Sequence, residues 1–168
     1  MARANASRMV LRARPAWGRI LSEAVIAGVA GGILLDAYLW ATTLVPVHGS
    51  ILMTWQWIAS TVLGKVALSD PAYAVAGALI HAIVSIGWAG GYAYIAATRP
   101  AATRRWVEAG IVYGLVVYTL MQTILLADNN FTYPPTPNDF VNALFAHAVF
   151  FGLPVAYVVR VLQPRTAK

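Results

Sequence analysis

The chain has 168 residues, of which 60% are hydrophobic and 11% charged, more apolar surface than a domain of this size can hide in one water-soluble core. Its mean hydropathy of +0.66, with charges grouped between long uncharged stretches, makes lipid the solvent for most of it. The net charge of +6 does not point to nucleic acid, because the basic residues sit at the ends of apolar runs and form no patch interleaved with stacking residues. The absence of cysteine excludes disulfides, Fe–S clusters, thiolate zinc sites and a cysteine nucleophile.

Residues 1–18 form a basic N-terminal segment with Arg3, Arg8, Arg12 and Arg14. Arginines without acids before an apolar run resemble a targeting peptide. No A-x-A-like cleavage site follows, and Glu23 and Asp36 lie inside the run, so a retained, packed helix is expected. Crossing the hydrocarbon core takes about 20 apolar residues, and four runs qualify, at residues 19–44, 72–98, 104–127 and 140–162. Together they define an all-α, integral membrane four-helix bundle in a single domain over 19–162, with a short tail at 163–168.

A fifth apolar stretch, 51–68, carries Gln56, Thr61 and Lys65, and repeats Ile51, Leu52, Trp55, Ile58, Ala59, Val62 and Val66 at helical spacing, which predicts an interfacial or re-entrant helix. The arginines decide against a fifth crossing. With four spans, Arg19, the Arg99, Arg104 and Arg105 group, and Arg160, Arg165 and Lys168 all fall on one side, with Lys65 alone opposite. That side is cytoplasmic by the positive-inside rule, so both termini are expected there. The Ala, Val, Gly and Arg bias suits a bacterial chain, and hence the inner membrane. Trp40, Trp55, Trp57 and Tyr133 on the outside and Trp17 and Trp106 on the inside read as interfacial belts.

Helix starts on the outer side are marked by Asp70-Pro71 and by Thr136-Pro137-Asn138-Asp139, a threonine cap with an acid three residues on. Between the third and fourth spans, 128–135 is a turn-rich loop. Pro154 should disturb the fourth span near Phe150–Gly152.

Three Gly-x-x-x-Gly pairs, Gly28/Gly32, Gly87/Gly91 and Gly110/Gly114, are expected to let helix backbones approach closely and make the cytoplasmic half tight. The outer half holds Asp36, His81, Gln122 and His147 in one layer, roughly 8–12 Å below the outer surface at 1.5 Å per residue. Intramembrane ionisable residues are candidate functional groups. Several readings stay open for this layer. The pair of Asp36 with a histidine fixes helix register; His81 and His147 ligate a b-type haem, with Gly77, Ala78, Ala143 and Ala146 leaving room; Asp36, His81 and His147 hold a divalent metal; or the layer binds a proton or polar ligand from outside. His48 reads as a solvated loop residue, and Glu23 and Glu108 as partners of Arg19, Arg104 or Arg105. No phosphate loop, Ser–His–Asp order, zinc-protease motif or dinucleotide fingerprint is present, which argues against a soluble-type enzyme. Self-association, or membership of a membrane complex as an accessory subunit, is the rival expectation.

Over residues 24–162 the order of elements resembles the YagU-like family of bacterial inner-membrane proteins, a domain of unknown function. The resemblance rests on the Gly-rich first span, the Trp-bearing segment leading to Asp70-Pro71, then Gly77, His81, Ser85, Gly91-Tyr92, Trp106, Gly110, Gly114, Pro134-Pro135 and Phe145-Ala146-His147. It implies this topology and draws attention to His81 and His147 without assigning them a reaction.

Overall fold

The computed structural model describes residues 17–163 apart from 45, 47 and 128–135; most of the basic N-terminal segment, the turn-rich loop and the last five residues lie outside that set. Among the described residues there is helix and no strand. Helix α1 is Trp17–Leu39, continued by a π-helical turn at Trp40–Leu44; α2 is Ile51–Leu63, followed by a 3₁₀ turn at Lys65–Leu68. Then come α3 (Tyr73–Thr98), the short α4 (Pro100–Arg104), α5 (Trp106–Ala127), α6 (Pro137–Ala146), a π-helical segment at His147–Gly152, and α7 (Leu153–Leu162). Four continuous helical stretches are long and apolar enough to cross a membrane: Trp17–Leu44, Tyr73–Thr98, Trp106–Leu126 and Pro137–Leu162. Each bound falls within a few residues of its expected place. The chain is thus an all-α membrane bundle whose spans alternate in direction.

The first and fourth spans form the middle of the bundle, with 50% and 39% of their apolar windows buried against 22% for the second and third. α1 packs on α3 along one face and on the fourth span along another, and α5 closes against the π segment and α7. Glycine decides where these contacts are closest. A Cβ on Gly28 would stand 2.6 Å from the Ile86 Cα, and one on Gly32 would press on Ser85 and His81. At the α5 crossing, Cβ atoms on Gly110 and Gly114 would run into Gly152 and the His147 carbonyl, and one on Gly152 into the Gly110 carbonyl. Of these glycines of the expected motifs, Gly28, Gly110 and Gly114 lie at backbone-to-backbone approaches and Gly32 against side chains, contacts where dispersion replaces the missing hydrophobic drive between helices in lipid.

Gly87 and Gly91 do not. A Cβ on Gly87 would meet no atom within 4 Å, and Gly91, also exposed, faces only the tip of Tyr113. α3 instead meets α1 through Ser85 and Ile86, and its Ala89 and Ala93 are fully buried. Close packing is not confined to the cytoplasmic half. The outer-half Gly77 lies against the Trp55 backbone carbonyl so closely that no Cβ fits between them.

That contact seats α2 on α3, and α2 is turned inside out relative to a surface helix in water. Its buried residues are Thr54, Gln56, Ala59 and Ser60, while Leu52, Met53, Trp57, Val62 and Leu63 are exposed. Of the seven apolar residues that recur along one face, only Ala59 is fully buried, and Leu52, Val62 and Val66 point outward. Where the surroundings are apolar, Gln56 and Ser60 turn inward to find partners: Gln56 Nε2 donates to the Ala67 carbonyl at 3.3 Å and Ser60 Oγ to the Trp57 carbonyl at 2.7 Å.

The helix ends follow local chemistry. Thr136 forms a full capping box on α6: its hydroxyl accepts from the Asp139 N–H at 3.2 Å, and the Asp139 carboxylate accepts from the Thr136 N–H. Thr136→Ala is expected to lower thermal stability by about 1 kcal/mol, read as a shift of the unfolding midpoint in detergent. Asp70 caps less directly, its carboxylate accepting from the Ala72 N–H while α3 begins at Tyr73. Pro154 cannot donate to the Phe150 carbonyl four residues earlier and its ring crowds that turn. The chain answers with the wider π-helical turn at His147–Gly152, which covers the stretch where the disturbance was expected. At the arginine-rich end, Arg19 pairs with the buried Glu23 at 3.3 Å, Arg105 with Glu108 at 3.9 Å, and the Arg160 guanidinium lies 5.4 Å from the centre of the Trp106 ring.

Candidate functional site

The polar layer is resolved into two clusters. In the first, Asp36 projects from α1 toward α3, where the Asp36 Oδ1 and His81 Nε2 are 3.3 Å apart. Its second oxygen, Oδ2, accepts from the indole Nε1–H of Trp55 on α2 at 2.9 Å. His81 Nε2 is also 3.4 Å from the Gly32 carbonyl and 3.4 Å from Ser85 Oγ. With a carboxylate and a carbonyl both facing Nε2, the proton belongs on that nitrogen in the neutral ring.

The local sequence builds this meeting point. Gly28, Gly32 and Asp36 recur every four residues on one stripe of α1, and the two glycines bring α3 near enough for a short carboxylate to reach an imidazole. Ser85 lies one turn from His81 on the same stripe of α3. Gly77, one turn to the other side, admits α2, which delivers Trp55. Asp36 is 8% exposed, and the His81 side chain 18%, so the carboxylate is enclosed while the imidazole keeps an open edge.

The second cluster lies on α5 and the fourth span. His147 begins the π segment, donates from Nδ1 to the Ala143 carbonyl at 2.8 Å, and packs its ring 5.0 Å from that of Tyr118. Gln122, one turn beyond the buried Tyr118, is its hydrogen-bonding neighbour. His147 is within electrostatic reach of His81, yet their hydrogen bonds run to different partners. Asp36 and His81 are therefore brought together, while Gln122 and His147 join through Tyr118.

Two expectations change in consequence. Among the described residues no group of three or more His, Asp or Glu side chains is in a position to hold a metal ion, so Asp36, His81 and His147 do not form a three-ligand set. The haem arrangement needed open space beside Gly77, and that space is filled by the Trp55 backbone, while His81 Nε2 is already directed at Asp36. The residues present do not fit a haem at that position. His48 is exposed with a φ of 58°, in keeping with a loop role.

Trp55 is the site residue that sequence reasoning placed elsewhere, in an interfacial belt. Its neighbours Trp40 and Trp57 are exposed, and nothing in the spacing of the three tryptophans singles out the one that turns inward. A further tie was not anticipated. Tyr38 donates to Asn142 Oδ1 at 2.8 Å and Asn142 donates to Thr42 Oγ1 at 3.1 Å, joining α1 to α6 near the same end, with Tyr38 stacked on Phe150 at 4.2 Å.

Fold and site define a small all-α membrane protein with a carboxylate–imidazole pair between its first and second spans. No protein-family model matches the chain, and comparison with curated proteins and with solved structures gives no significant match.

Proposed function

We propose that the chain is a small multi-pass protein of the bacterial inner membrane that takes up a proton at the Asp36–His81 pair from the outer side, with both termini in the cytoplasm. The observation that carries this reading is the 3.3 Å contact between two titratable side chains on different spans. A carboxylate and an imidazole in contact share one proton more readily than either holds it alone, and imidazole exchanges protons near neutral pH. The partial exposure of His81 supports access, and the gathering of Arg19, Arg99, Arg104, Arg105 and Arg160 at the opposite end supports the orientation. Membership of the YagU-like family is proposed on the motif order given above.

A rival reading is favoured by the Trp55–Asp36 hydrogen bond, which ties α2 to the bundle: the cluster fixes packing in an accessory subunit and exchanges no proton. Pyranine-monitored pH jumps on purified protein in nanodiscs separate the two. Between about pH 5 and 8 the wild type is expected to take up about one proton more per chain than His81→Gln or Asp36→Asn. Equal uptake by wild type and Asp36→Asn contradicts the proton reading and leaves the packing role.

A further inference from the structure

Near the arginine-rich end, α1 and α3 leave between them an open, almost wholly apolar groove of about 300 Å³, bordered by Trp17, Leu21, Ala24, Ile86, Gly87 and Gly90. Its floor is made of glycine that the fold does not need for packing. A Cβ on Gly87 would meet nothing within 4 Å, and one on Gly90 would make an ordinary 3.4 Å contact with the Ala24 Cβ. Glycine within a helix lowers its stability by about 1 kcal/mol relative to alanine. Here, unlike at Gly28, what those residues create is concavity on the outer face of the bundle.

The end of the groove carries a second feature. Trp17 stacks on Tyr94 with ring centroids 5.9 Å apart and planes 13° from parallel, an aromatic pair of the kind that sits at headgroup level. α3 then ends, and Arg99 and Arg104 follow, both exposed and, among the described residues, without an ion pair; Arg105 reaches only an exposed Glu108 at 3.9 Å. An apolar furrow leading to an aromatic pair and then to uncommitted guanidinium groups is complementary to a molecule with a long apolar chain and an anionic head. Basic sites beside membrane helices recognise anionic lipid headgroups in this way.

We propose that this groove seats one acyl chain of an anionic phospholipid, with its phosphate held by Arg99 and the arginines that follow it. The site is separate from the Asp36–His81 pair and stands or falls independently of it. The Cβ of Gly87→Leu enters open space and the rest of the side chain occupies the groove, so the variant is expected to keep its fold, checked by its melting curve, and Arg99→Gln removes one cation. Native mass spectrometry of the detergent-purified protein, offered equimolar phosphatidylglycerol and phosphatidylcholine, reads the result. The wild type is expected to retain one phosphatidylglycerol in preference, Gly87→Leu to lose that adduct, and Arg99→Gln to lower the preference by about fivefold. Equal retention of both lipids by the wild type, or an unchanged phosphatidylglycerol adduct in Gly87→Leu, overturns the proposal. So does a wild-type dimer that Gly87→Leu splits while lipid adducts stay the same, which would make the groove a contact between two copies of the chain.

Discussion

Gly114→Leu is expected to prevent the third and fourth spans from closing, and Gly114→Ala to lower stability by about 1–3 kcal/mol, the usual cost of forcing extra atoms into a packed interface. The reason lies at one crossing. Gly114 faces the His147 carbonyl and the Ala148 Cα, and Gly110 and Gly152 face each other, so the backbones touch with no side chain between them. The partner at this crossing is main chain in a π-helical turn, which cannot step aside as a flexible side chain would. Gly87→Ala provides the contrast, since a Cβ there enters open space and helix propensity favours alanine by about 1 kcal/mol. Unfolding in mixed micelles, followed by tryptophan fluorescence, should show Gly114→Ala well below the wild type and Gly87→Ala at or above it. Equal loss in both variants would mean that the glycines act through helix propensity rather than through the crossing.

The second large effect is expected at the polar cluster. Asp36→Ala removes the acceptor for two donors at once, Trp55 Nε1–H and His81 Nε2–H, and a buried donor left without a partner costs about 1–3 kcal/mol. A double-mutant cycle isolates the pair from these side effects. Asp36→Ala and His81→Ala, alone and together, are expected to give a coupling energy of about 1–2 kcal/mol, toward the upper end for polar contacts between membrane helices. Trp55→Phe keeps a ring on α2 and loses only the hydrogen bond, so its effect should be smaller, about 0.6 kcal/mol. A coupling energy of zero between Asp36 and His81, with both single variants folded, would contradict the contact between them.

What could be read in the sequence follows from the range of each signal. The four spans rest on local composition, and the arginines mark their ends, so their bounds were legible to within a few residues. The Thr136 capping box lies within four consecutive residues and was legible in full. The position of α2 was legible too, but its rotation was not. Sequence periodicity showed an apolar face without saying whether that face meets the bundle or the lipid. The choice is made by Gly77, whose missing side chain lets the Trp55 backbone dock against α3 and so turns Thr54, Gln56 and Ser60 inward.

The same limit governs the site. Asp36 and His81 were legible as members of one layer because depth follows from counting residues along a helix. Which histidine faces Asp36 depends on which helices are neighbours, and α1 lies against α3 through Gly28 and Gly32. The fourth span approaches a different face of α1, at Gly31. His147 therefore packs on Tyr118 instead, at a similar depth but in separate company. Gly87 and Gly91 illustrate the weakness of a spacing motif on its own: four-residue spacing places two glycines on one stripe and leaves open whether a neighbour exists on that side.

The most direct measurement of the central claim is ¹⁵N NMR of the protein in lipid nanodiscs, with the imidazole nitrogens labelled and followed between about pH 5 and 8. The expected result is that the His81 signal, assigned by its loss in His81→Gln, changes protonation in this range and that Asp36→Asn displaces that change. A His81 signal that holds one protonation state across the range, or a titration that Asp36→Asn does not move, would contradict a shared proton between the first and second spans.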